Sequence, residues 1–362
     1  MGTTSKIFPL ALAKGTEKLC EVCQRRAYLQ CTECGVTFYC ETEHQQADWV
    51  GIHERICQLL VPIRTSMPGS CWWNSDVERH LKKVRLNRVE LIEICRLVAE
   101  SKLSEGKHQE ALPAAQFYLR CSMDVHGPNT TQLVPAYLLL ADANMPLGNV
   151  TLVKEFLAQA EWIVFRNPDC SHAIHHRLHR SLGRLNVLTG NLDAALMNFA
   201  NDVYIACEEY GLDSIILSDG YFLMAGVFAK QGKMPITRSL YSEVARTWHS
   251  HLTKLVEAQI QNINPRFTRP YKAKCIEVDE MFSTMLEFEQ NDSRKDSAQV
   301  ALVACCLAMV WLLGGDSLKA LGFCNTALQA SQLIPNHDLT ESIRSLLQLA
   351  QRLQPEPQPD SH

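Results

Sequence analysis

The chain has 362 residues, with 35 basic and 39 acidic side chains, so its formal charge at neutral pH is −4. That slight acidity excludes the basic footprint by which proteins hold nucleic acid. Its 15 cysteines are an odd number, and those beyond residue 57 sit mostly in apolar helical patterns such as Cys305, Cys306 and Cys324, which argues for free thiols in a reducing, intracellular compartment. Residues 1–16 are expected to form a flexible N-terminus. The apolar run from Ile7 to Ala13 is short, contains Pro9 and leads almost directly to a cysteine, so no secretory signal is expected. Lys6 stands where myristoylation at Gly2 wants Ser or Thr.

Residues 17–58 read as a small domain built by metal. Cys20, Cys23, Cys31, Cys34, Cys40, His44, His53 and Cys57 arrive as four pairs: two CxxC, then CxxxH and HxxxC. CxxC lets two thiolates reach one tetrahedral ion, and residues four apart share a helical face, so each later pair also suits a single ion. Eight donors imply two zinc ions. Four protein ligands per ion leave no open position, so both metals are expected to be structural rather than catalytic. So short a domain has little apolar core, and each zinc is expected to supply folding energy on the order of 10–16 kcal/mol. Spacing alone leaves sequential and interleaved pairing both open. Acidic residues (Glu21, Glu33, Glu41, Glu43, Asp48, Glu54) outnumber Arg25, Arg26 and Arg55 here, which again disfavours nucleic acid.

The run CEVCQRRAYLQCTECGVTFYCETEHQQADWVGIHERIC, residues 20–57, resembles a MYND finger. That resemblance implies interleaved pairing, with Cys20, Cys23, Cys40 and His44 on one ion and Cys31, Cys34, His53 and Cys57 on the other. Two departures stand out: His44 replaces the usual cysteine, and the segment from Trp49 to His53 is one residue longer than usual. The resemblance also implies a peptide-binding use, in which a Gln and a Trp hold Pro-x-Leu-x-Pro segments; the matching positions are Gln45 and Trp49. An indole face suits proline rings, and a pre-extended ligand loses little entropy on docking. Alternatively, Trp49 simply fills the small finger core.

Residues 59–75 read as a linker. Pro62, Pro68 and Gly69 suggest a joint, while Trp72 and Trp73 suggest that something packs against it. From 76 to 350 the chain becomes helical segments separated by short turns. Gly106, Gly148, Gly190 and Gly232 recur at intervals of 42, and a fifth such turn falls at Gly315. Seven residues before these turns stand Ala99, Ala141, Gly183, Ala225 and Ala308; five after three of them stand Ala111, Ala195 and Ala320. This register resembles the tetratricopeptide repeat in its longer form, where small residues on paired helices pack together. It implies a mainly α fold, a solenoid of tetratricopeptide-like helix pairs with an extended groove for protein partners. The stretch from Arg246 to Ser297 breaks the period, predicting a long second helix, a loop at 262–270 and an extra helix to about Glu289.

By this register the groove face carries Glu93, Arg96, Glu100, Asp142, Arg177, Arg180, Arg184 and Asp219. Arg177, Arg180 and Arg184 form one stripe, which suits an acidic helix or a chain terminus as ligand. A merely solvated face accounts for the same pattern. The apolar run Val300–Leu313 is shorter than the roughly 20 residues a bilayer span needs, so it predicts a buried repeat helix and no membrane partner. His172, His175, His176 and His179 share a helical face, and packing or solvation is expected there rather than a third metal. The tail 351–362 is polar and proline-rich, which predicts disorder.

No phosphate loop, nucleophile elbow or HExxH occurs, and no segment resembles the SET domain that accompanies MYND fingers in some lysine methyltransferases. Neither an enzyme nor a small-molecule substrate is therefore expected. The combination of finger and repeats resembles the non-enzymatic MYND and repeat proteins of cilia and sperm flagella. That resemblance implies an adaptor of the cytoskeleton, supporting sperm motility beside other tetratricopeptide-repeat proteins of the axoneme. A nuclear corepressor-type adaptor that recruits proline-rich peptides is the alternative, and a MYND-associated methyltransferase a more distant one.

Overall fold

The computed structural model of the chain describes residues 3–6, 17–65, 74–261, 269–291 and 296–353. The chain forms two compact units, 1–174 and 175–362.

In the first unit three short strands form an antiparallel sheet: β1 (Thr4–Lys6), β2 (Leu29–Cys31) and β3 (Phe38–Tyr39). Helix α1 (Thr42–Asp48), a single π-helical turn (Trp49–His53) and α2 (Glu54–Arg64) follow. Then come α3 (Asn74–Ser104), α4 (His108–His126), α5 (Val134–Asn144) and α6 (Val150–Arg166).

Two boundary expectations are corrected. The expected flexible N-terminus includes a paired strand, in which Thr4, Ser5 and Lys6 face Cys31, Gln30 and Leu29 in an antiparallel register. A linker does not begin at 59. Helix α2 continues to Arg64 and buries Leu60, which packs with Ile52 and Ile56 into one core with Leu91, Cys95, Ala114 and Phe117 of α3 and α4. The finger therefore shares a hydrophobic core with the first helix pair. Expectations for 7–16, for the joint at 66–73, for the 262–268 loop and for the tail beyond 353 lie outside the described residues.

The second unit holds most of α7 (His172–Leu188), then α8 (Leu192–Tyr210), α9 (Ile215–Lys230), α10 (Met234–Gln261), α11 (Arg269–Asn291), α12 (Ser297–Leu313), α13 (Ser317–Gln332) and α14 (Thr340–Arg352). Both the 28-residue α10 and the extra α11 lie where the 42-residue period breaks. Helix α12 is buried almost all round, with Ala304, Cys306, Leu307 and Ala308 at 0% exposure, which is why its sequence shows no polar stripe. No helix among the described residues is long and apolar enough to cross a membrane.

The 42-residue period has a local cause. Gly106, Gly148, Gly190, Gly232 and Gly315 all adopt φ between 73° and 83°, the left-handed conformation that ends a helix without a Cβ penalty. Each is followed by an N–H that reaches five residues back: Lys107 to Lys102, Asn149 to Asn144, Asn191 to Asn186, Lys233 to Phe228 and Asp316 to Trp311, at 2.9–3.2 Å. Every first helix is thus stopped the same way, and the chain turns into its antiparallel partner. The small residues before these turns are buried as expected; Gly183 is the tightest, since a Cβ there would lie 2.4 Å from the ring of Phe199. Consecutive helices pack as pairs within each unit: α3 with α4 and α5 with α6 in the first, α9 with α10 and α12 with α13 in the second. The finger and helix-pair body are the architecture expected of the sequence.

Candidate functional site

The eight ligand residues gather into two sets, Cys20, Cys23, Cys40 and His44, and Cys31, Cys34, His53 and Cys57. Pairing is interleaved, because the β2–β3 hairpin places the second knuckle across from α2 while the first knuckle faces α1. In the first set, Cys40 Sγ lies 3.0 Å and Cys20 Sγ 3.6 Å from His44 Nδ1, and Cys23 Sγ lies 3.6 Å from Cys40 Sγ. In the second, Cys34 Sγ lies 3.7 Å from His53 Nε2 and Cys31 Sγ 4.0 Å from Cys57 Sγ. A tetrahedral zinc with sulfur at about 2.3 Å has ligand edges of roughly 3.8 Å, so both sets fit that ion.

Electrostatics point the same way. Burial pushes the Cys57 thiol far up and Cys40 up to about 12, each reinforced by neighbouring thiolates. Burial also opposes ionisation of Cys34, but its hydrogen bonds with His53 and Thr37 outweigh it and bring that thiol down to about 6. A bound dication is what allows such crowded thiolates to coexist. Both sets are Cys3His, four donors each, so each takes one structural zinc with no ligand position left over.

Each ligand histidine is oriented by a carboxylate. His44 points Nδ1 at Cys20 and Cys40 and turns Nε2 to Glu41 at 3.4 Å; His53 points Nε2 at Cys34 and turns Nδ1 to Asp48 at 3.6 Å, so these inward nitrogens would hold the ions. Asp48 is buried and accepts the Tyr39 hydroxyl at 2.7 Å. Such outer carboxylates fix the ring and its tautomer. The extra residue between Trp49 and His53 is absorbed by the π-helical turn, in which the Glu54 N–H reaches back five residues to the Trp49 carbonyl. A single π turn takes up one added residue without rotating the helix beyond it, so His53 and Cys57 still face one ion.

The two expected peptide readers are placed differently from each other. Gln45 is buried, and its helix α1 packs on α4. Trp49 is half-buried against the finger core, its ring 5.7 Å from that of His53.

The arginine stripe also divides. Arg177 is exposed, and Arg184 lines a cavity of about 410 Å³ with Phe222, Trp248, Met281 and Glu280. Arg180 is held inside the unit: it donates to Asp202 at 2.8 Å, to Asp219 at 2.8 Å and to the Ile216 carbonyl at 2.9 Å. Two carboxylates of the chain thus share the guanidinium, which lines the same cavity as Arg184. The histidine cluster likewise has internal partners, His176 with Asp202 at 3.2 Å and His179 with Asn198 at 3.1 Å. Arg96, expected on the groove face, forks onto Glu93 and Glu100, each at 2.6 Å.

One cluster escaped the sequence reading. Glu21, inside the first CxxC knuckle, receives Arg64 of α2 at 2.7 and 3.1 Å and Arg120 of α4 at 2.8 Å. Arg120 also donates to the Glu21 carbonyl at 2.9 Å. Burial opposes the charge of Glu21, but the two guanidiniums hold its carboxyl below the usual range. Glu21 was visible only as one finger acid among six, and Arg64 fell in the expected linker.

Comparison with known proteins matches residues 20–57 to the MYND finger family model. Among solved structures the chain is similar to BtubC (BKLC) from P. vanneervenii, at 15% identity over 72% of this chain and 96% of that one, with a TM-score of 0.32. So loose an overlay carries no argument about function. Residues 20–57 are thus a MYND finger with two zinc sites, set ahead of a body of packed helix pairs.

Proposed function

We propose that this protein is a non-catalytic adaptor whose helical body binds other proteins. The carrying observation is the pair of closed Cys3His sets: a zinc that polarises a substrate or activates water needs an open coordination position, and these donor sets provide none. MYND fingers and helix-pair repeats both serve protein interaction, and the cavity formed by α7, α9, α10 and α11 supplies a mixed apolar and charged surface of the kind peptides occupy. We place its work in the axoneme of cilia or sperm flagella, on the resemblance of the finger and repeat combination, with other repeat proteins as partners.

Proximity labelling of the tagged protein in ciliated cells tests this proposal. Axonemal repeat proteins should be recovered by the native chain and lost from an Arg184→Glu, Glu280→Arg variant, which reverses charge on two walls of the cavity while leaving Arg180 in place. A set of nuclear proteins bearing proline-rich segments, unaffected by those changes, would favour the corepressor reading. Methyl transfer from S-adenosylmethionine by the purified chain would overturn the non-catalytic one.

A further inference from the structure

We infer that the finger is not a freely swinging peptide reader but a zinc-dependent cap on the first helix pair, and that Glu21 is the residue coupling metal binding to the fold of α3 and α4. The geometry of one knuckle makes this connection. Glu21 follows the ligand Cys20 directly and precedes Cys23, so the position of its carboxylate is set by two residues that must converge on one ion. That carboxylate, 10% exposed, is shared by Arg64 from the end of the finger and Arg120 from the body. Both guanidiniums also lie over the Phe117 ring of α4, at 5.6 and 5.3 Å. Arg64 additionally reaches the Val36 carbonyl at 3.3 Å, tying the loop after the second knuckle to the same point.

A second, apolar contact lies beside it. Gly51, in the π-helical turn, meets Pro113 of α4 so closely that a Cβ would fall 2.7 Å from the proline ring. Together with buried Ile52, Ile56 and Leu60, this turns the finger's ligand-bearing helices into part of the first pair's core. An end repeat has no neighbour to cover its outer face and needs a cap. Here the cap's own buried core is four ligand cysteines and Tyr39, so metal loss should loosen the helices it covers as well as the finger.

Hydrogen exchange on the full-length chain, with and without its zinc, tests the coupling. Stripping the metal with a chelator should speed exchange at least tenfold in 108–126, while 297–332 keeps its protection. Arg120→Met, which touches no ligand residue, should retain both zinc ions by elemental analysis and still speed exchange in 54–64 and 108–126. Glu21→Gln should do the same. Unchanged protection of 108–126 in the stripped protein would overturn the inference. So would zinc loss from the Glu21→Gln chain, which would place that residue in metal retention rather than docking, or loss of protection throughout the second unit, which would mean a general collapse.

Discussion

Arg180 and Asp202 show how much one ion pair depends on its surroundings. Asp202 is fully buried, and its oxygens accept from Arg180 and face His176. Replacing Arg180 by Leu leaves that carboxylate without its main counter-charge, and breaking such a pair from one side costs about 3–5 kcal/mol. Replacing both partners, Arg180→Met with Asp202→Leu, removes the stranded charge and should recover most of the loss. Denaturant unfolding of the single and double variants checks this, and a single variant as stable as the native chain would show that the pair is dispensable. The sequence displayed Arg180 on a helical face but not its partners, because Asp202 and Asp219 lie on later helices that only tertiary packing brings within reach. By contrast, the eight zinc ligands were legible to the residue. Metal chemistry fixes donor types and local spacing, and neither depends on distant packing.

Among the elements, those with a period or a punctuation mark were readable in advance. Small residues and left-handed glycines recur together because each repeat must solve the same close approach and the same helix stop. The break in that rhythm correctly foretold a long α10 and an added α11, though not how they pack. β1 was missed since its pairing partner, β2, lies about 25 residues further on and three residues carry no alternation of their own. The false linker at 59 has a similar origin: Pro62 looked like a joint, yet it sits inside α2, whose apolar residues are already committed to the core of α3 and α4. The extra residue near Trp49 was visible as a count, but not its absorption by a π turn. Deleting Val50, which is exposed, should return that turn to an ordinary α-helical one with His53 and Cys57 still facing their ion. Elemental analysis of the deletion variant should therefore still give both zinc ions. Loss of one would mean that the π turn itself sets the ligand geometry.

At the scale of the molecule, the chain combines a metal-built cap with helices that present surfaces. Beyond the finger, the described cysteines are mostly buried, and burial pushes Cys275 and Cys324 up to about 11, in keeping with small apolar fillers. What sequence could not supply at this scale was the union of finger and first helix pair, which rests on Glu21, Arg64 and Arg120 meeting across nearly 100 residues. Both zinc sites are closed and structural. X-ray absorption at the zinc edge of the purified full-length protein measures this directly: with one ion in each Cys3His set, every zinc should show three sulfur neighbours at about 2.3 Å and one nitrogen, with no oxygen. A zinc–oxygen shell from bound water would reveal an open position and contradict closed, structural coordination.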